Sequence, residues 1–111
     1  MSNLTPAVVV AELTSIGKQL AVKADELAVL DASVVDARRV YEISYARVFL
    51  GSEGAMDVRR YEAVLQSANV KFEFEVAEQR LRAARESIRV LRDKLETLRS
   101  ISAILKLEWS S

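Results

Sequence analysis

Apolar residues recur along the first half of the chain with heptad spacing. Leu13, Leu20, Leu27, Val34, Tyr41 and Val48 fall seven residues apart, and Ile16, Leu30 and Ala37 follow members of that series by three. Alternating steps of three and four return side chains to one face of an α-helix, the seam of a coiled coil. Lys23 and Ser44 interrupt it. The second half has its own seam, with Phe74, Leu81, Ile88, Leu95 and Trp109 alternating with Ala77, Ala84, Leu91, Leu98 and Leu105. Just before it, Tyr61, Leu65, Ala68 and Phe72 follow a different phase. A register slip near residues 72–77 is therefore expected, with a local change of supercoil.

Stop and start signals divide this pattern in two. Thr5 offers an N-cap oxygen, and Pro6 is harmless at the first helical position, where the N–H has no partner anyway. Gly17 is the only weak point before Gly51-Ser52-Glu53-Gly54. Gly51 suits a left-handed C-terminal cap, and Asp57, with Ser52 in competition, suits the next N-cap. The expectation is a single all-α domain over residues 1–111: helix 6–50, loop 51–56 and helix 57–108, folded as a long antiparallel two-helix hairpin. A rival α+β reading rests on residues 70–76, Val-Lys-Phe-Glu-Phe-Glu-Val, which alternate as a strand does. No turn residue flanks the run, so helix is preferred.

A second stripe changes the picture. Val8, Val22, Val29, Ile43 and Leu50 share one heptad position on the first helix, well over a right angle from the seam. Two helices of this length span roughly 70 Å, and a lone hairpin encloses no core. The stripe is therefore the candidate oligomer interface, and the chain is expected to dimerise into a four-helix bundle.

Composition narrows the chemistry. The 111 residues hold 16 basic and 16 acidic side chains, no His and no Cys, with three Gly and one Pro. Triads, thiolate nucleophiles, disulfides, His metal sites and zinc fingers are excluded, and a turn-rich all-β fold is disfavoured. No enzyme activity and no cofactor are expected. The first residues lack the basic region and long apolar core of a signal peptide, and no run is long enough to span a bilayer, so a cytoplasmic protein without a membrane partner is expected.

Charge is uneven within the neutral total. Residues 80–106 hold eight basic side chains and three acidic ones. Arg82, Arg85, Arg89 and Arg92 step by three, four and three, lining one helix face. They are the candidate site for nucleic acid or an acidic partner, since guanidinium forks suit phosphates. The plainer alternative is a solvated flank paired with acids of the neighbouring helix, where a hairpin would bring Asp25 and Glu26 near Arg82. Glu73, Glu75 and Glu78, with Glu62 upstream, read as a solvated acidic face, because a carboxylate-bridged metal pair normally uses Glu-x-x-His motifs. Tyr41, Tyr45 and Phe49 share a face near the loop, where Tyr61 should join them in a packed aromatic end. A stacking platform for bases is the alternative, given Arg38, Arg39, Arg47, Arg59 and Arg60 nearby.

The segment Tyr45-Ala46-Arg47-Val48-Phe49-Leu50-Gly51-Ser52-Glu53-Gly54-Ala55-Met56-Asp57-Val58-Arg59-Arg60 resembles small uncharacterised helix–loop–helix proteins encoded by actinobacterial phages, as do Arg99, Ser100, Ala103, Glu108 and Trp109 near the end. The resemblance covers about 60% of the chain. It implies an accessory protein acting in the bacterial host, with a host or phage replication or recombination protein, or DNA, as partner. Hairpins exported by type-VII secretion carry Trp-x-Gly at the turn, where this chain has Leu50-Gly51-Ser52. The expected function is a self-associating helical interaction module. A nucleic-acid accessory using the Arg strip is the alternative.

Overall fold

The computed structural model describes residues 4–110. Among them it shows three helices and no strand: α1 (Pro6–Gly51), α2 (Met56–Gln66) and α3 (Ala68–Ser110). Residues 70–76 are helical, so their alternation does not mark a strand. Phe74 and Val76 are half-buried, whereas Phe72 is exposed.

α1 starts as its sequence dictates. Thr5 caps it, with its Oγ1 accepting from the Val8 N–H at 3.2 Å and its carbonyl from the Val9 N–H at 3.0 Å. Its end differs from expectation. Gly51 is the last helical residue, and the one glycine with positive φ among the described residues is Gly54, at 105°. Ser52 closes the final turn instead, donating both its N–H (2.9 Å) and its Oγ (2.6 Å) to the Val48 carbonyl. α2 opens at Met56 behind Ala55, which has extended backbone and offers no side-chain cap. Asp57 therefore does not cap the helix but lies in its first turn, favourably placed against the macrodipole, and pairs with Arg60 at 3.6 Å.

The expected continuous helix 57–108 is interrupted once, at Ser67. Its φ of −96° and ψ of 5° fall outside the helical range, yet the Ser67 N–H still donates to Ala63 and its carbonyl still accepts from Lys71. The Ser67 hydroxyl also donates to the Ala63 carbonyl, so this buried side chain is satisfied within its own turn.

Packing divides the chain into two compact units. The first combines Met1–Leu27 with Ala84–Ser111. Val9, Ile16, Ala84 and Ile88 are buried there, with Leu13, Leu20, Leu91, Leu95 and Leu98 half-buried. α1 and α3 run antiparallel in this unit: Val8 shares a groove with Thr97 and Leu98, whereas Gln19 and Lys23 share one with Glu86 and Leu91. The second unit is Ala28–Ala83, with Val34, Ala63, Ser67, Ala77 and Leu81 buried. There too the helices are antiparallel, since Tyr41 stacks on Phe74 at 6.0 Å while Val48 lies beside Val70.

The α1 seam follows the heptad throughout. Residues 9, 13, 16, 20, 23, 27, 30, 34, 37, 41, 44 and 48 are all buried or half-buried, and they alternate steps of four and three. Lys23 and Ser44 belong to the seam and do not break it. The Lys23 stem lies along the seam while its ammonium reaches Glu26 at 3.1 Å. The expected register slip on the second half is absent. Ala63, Ser67, Val70, Phe74, Ala77, Leu81, Ala84 and Ile88 hold one phase, alternating steps of four and three straight through the helix break at Ser67. Small side chains carry the seam at its start. The conspicuous Tyr61, Leu65, Ala68 and Phe72 lie outside it, exposed.

Candidate interaction surfaces

The Arg strip is displayed by α3, whose uninterrupted turns set Arg82, Arg85, Arg89 and Arg92 on one exposed face. Its members differ in their partners. Arg82 donates through Nε (3.3 Å) and Nη2 (2.9 Å) to the Gln79 amide oxygen. Arg89 donates through both Nε (3.1 Å) and Nη2 to Glu86, and lies 3.6 Å from Asp93. The Arg89 hydrogen bond holds the Glu86 carboxyl below the ordinary carboxylate range; desolvation opposes it, and the Arg89 charge adds to the lowering. Glu86, then Asp93, raise Arg89 in return. Arg85 and Arg92 have no ion pair or side-chain hydrogen bond among the described residues.

The expected pairing with Asp25 and Glu26 does not form. Glu26 takes Lys23, and all five ion pairs among the described residues join positions three or four apart on one helix. Among the described residues no ion pair joins α1 to α3, and within each unit the buried positions on the two helices are almost all apolar.

The α1 stripe is exposed. Val8 and Val22 lie in the first unit and Val29, Ile43 and Leu50 in the second, and each is open to solvent. The structure adds neighbours that heptad counting on α1 alone missed. In the first unit Leu4, Val8 and Glu12 face Val90, Asp93, Lys94, Thr97 and Leu98 across a groove of about 510 Å³. In the second, Val40 and Ile43 share a groove with Val48 and Val70. Val90 holds on α3 the heptad position that Val8 holds on α1, so pairing the two seams would have revealed it.

The aromatic cluster forms with one change of member. Tyr41 meets Tyr45 edge-on at 6.4 Å, and Tyr45 stacks on Phe49 at 6.3 Å. Phe74 takes the place expected for Tyr61, with the Arg38 guanidinium 5.5 Å from its ring centre. Tyr61 points outward from α2. Among the described residues no group of three or more acidic side chains is placed to hold a metal ion, and no helix is long and apolar enough to cross a membrane.

No family model matches the chain, and neither a curated protein nor a solved structure matches it.

Proposed function

We propose that the chain is a non-enzymatic, self-associating helical interaction module, an accessory protein of a phage that works in the bacterial cytoplasm. One observation carries the reading. Among the described residues eight apolar side chains are buried, whereas nineteen large apolar side chains are exposed. A chain with so much uncovered apolar surface gains most by burying it against another chain. The α1 stripe Val8, Val22, Val29, Ile43 and Leu50 is the assigned contact with a second copy, in a four-helix arrangement.

The absence of His and Cys from the sequence supports a non-catalytic role. The likeness of residues 45–60 to small phage-encoded helical proteins supports the phage assignment, with a host or phage replication or recombination protein as the further partner. A nucleic-acid role is favoured by one observation only, the free guanidinium groups of Arg85 and Arg92 beside their paired neighbours.

The pair Val22→Glu and Val29→Glu tests the reading. These side chains are 56% and 67% exposed, so covering them contributes roughly 1–2 kcal/mol each. Every 1.4 kcal/mol is tenfold in affinity, so the double variant should weaken self-association by about tenfold or more, before the cost of burying unpaired carboxylates. Sedimentation across a concentration series reads this directly. Unchanged assembly, with circular dichroism still helical, would refute the assigned interface.

A further inference from the structure

The stripe that the α2–α3 seam leaves outside is itself a seam without a partner. Val58, Tyr61, Leu65, Ala68 and Phe72 step by three, four, three and four residues. All are exposed, with Tyr61 and Leu65 at 71% and Phe72 at 65%. The backbone hydrogen bonds through Ser67 keep the helical pitch across the break, so the stripe continues from α2 into α3. It lies wholly within the second unit and shares no residue with the α1 stripe.

We infer that this stripe is a second, separate self-association surface, paired antiparallel with the same stripe of another copy about a two-fold axis at Leu65. Self-complementarity picks out this occupant. One flank of the stripe carries Asp57, Val64 and Lys71, and the other carries Glu62 and Asn69, all exposed. Antiparallel pairing centred on Leu65 sets Asp57 against Lys71 of the second copy, Val64 against Val64, and Glu62 against Asn69. Every flanking pair is then opposite in charge, hydrogen-bonding or apolar. Along the seam, Phe72 meets Val58 and Tyr61 meets Ala68, so large side chains fall opposite smaller ones. Parallel pairing brings Asp57 beside Glu62 instead, which repels. Asp57 and Glu62 now engage Arg60 (3.6 Å) and Gln66 (3.0 Å) in exposed contacts within their own helix, which a partner's charges can share or replace. Two such isologous contacts on one chain close into a dimer of dimers or extend into a fibre.

The chain has no cysteine, so single cysteines report geometry cleanly. Leu65→Cys should convert to a disulfide-linked dimer under mild oxidation, seen as a doubled mass on a non-reducing gel. Asp57→Cys and Lys71→Cys should each stay monomeric on that gel alone and cross-link when mixed. Lys18→Cys, exposed on α1, gives the background of random collision. The Leu65→Cys dimer should persist in a Val22→Glu, Val29→Glu background, which separates this surface from the α1 interface. Leu65→Cys linking no faster than Lys18→Cys would overturn the proposal. So would Asp57→Cys linking to itself in preference to Lys71→Cys, and so would loss of the Leu65→Cys dimer in the α1 double variant.

Discussion

The turn between α1 and α2 makes a quantitative prediction that separates three glycines. Gly17 and Gly51 have helical backbone, and a Cβ built on either meets nothing within 4 Å. Alanine there removes unfolded-state freedom and adds helix propensity, worth about 0.8–1 kcal/mol at each position. Gly54 differs in conformation, not in space. A Cβ there would sit 3.8 Å from the Val58 side chain, an ordinary contact, but φ is 105°. An L side chain pays roughly 1–2 kcal/mol for left-handed backbone, and 105° lies beyond the range it tolerates best. Gly51→Ala and Gly17→Ala should therefore raise the melting temperature, and Gly54→Ala should lower it. For a chain this short, 1 kcal/mol corresponds to roughly 4–8 °C. Circular dichroism melts at one fixed protein concentration read all three, since assembly also moves the midpoint. A loss on Gly51→Ala with no effect at Gly54→Ala would refute the turn as described. It would return the left-handed residue to the C-cap position that the sequence pattern suggests.

Two further outcomes concern charge. Replacing Arg82, Arg85, Arg89 and Arg92 with Gln should leave the helices and assembly intact, because Gln is a good helix former. If the strip binds phosphates, DNA affinity should fall steeply with salt in the native protein and this slope should flatten in the variant; negligible salt-dependent binding by the native protein would leave the strip a solvated flank. Glu86 has its folded-state carboxyl lowered by Arg89. Its contribution to stability is therefore present above the unfolded carboxylate pKa and is lost as pH falls through the folded value. Glu86→Gln should weaken the acid-side fall in stability, measured by urea unfolding across a pH series. An unchanged fall would show that the pair does not persist in solution.

Periodicity made the α1 seam legible from Leu13 to Val48, because large apolar side chains mark most of its heptad positions. Thr5-Pro6 was legible for the same reason: its chemistry is local. The start of the second seam was not. Ala63 and Ser67 carry little hydrophobic signal, yet they occupy the buried positions because small side chains let α2 come close. Tyr61, Leu65 and Phe72 carry a strong signal and lie outside. An apolar stripe reports that a helix face is costly to leave in water. It does not say whether the same chain or another copy covers it, and reading it as intramolecular produced the expected register slip. The Arg strip shares one exposed face of α3 because helical spacing alone decides that. Its partners were not legible, because Asp93 and Glu86, one turn away, compete with any acid on α1 at far lower cost in ordering.

If other copies of this chain cover the exposed apolar stripes, light scattering coupled to size exclusion, run over a range of loading concentrations, should give a particle of at least twice 12.4 kDa. Its mass should fall toward the single chain on dilution where assembly is weak. A concentration-independent particle of about the single-chain mass would mean that the stripes stay uncovered.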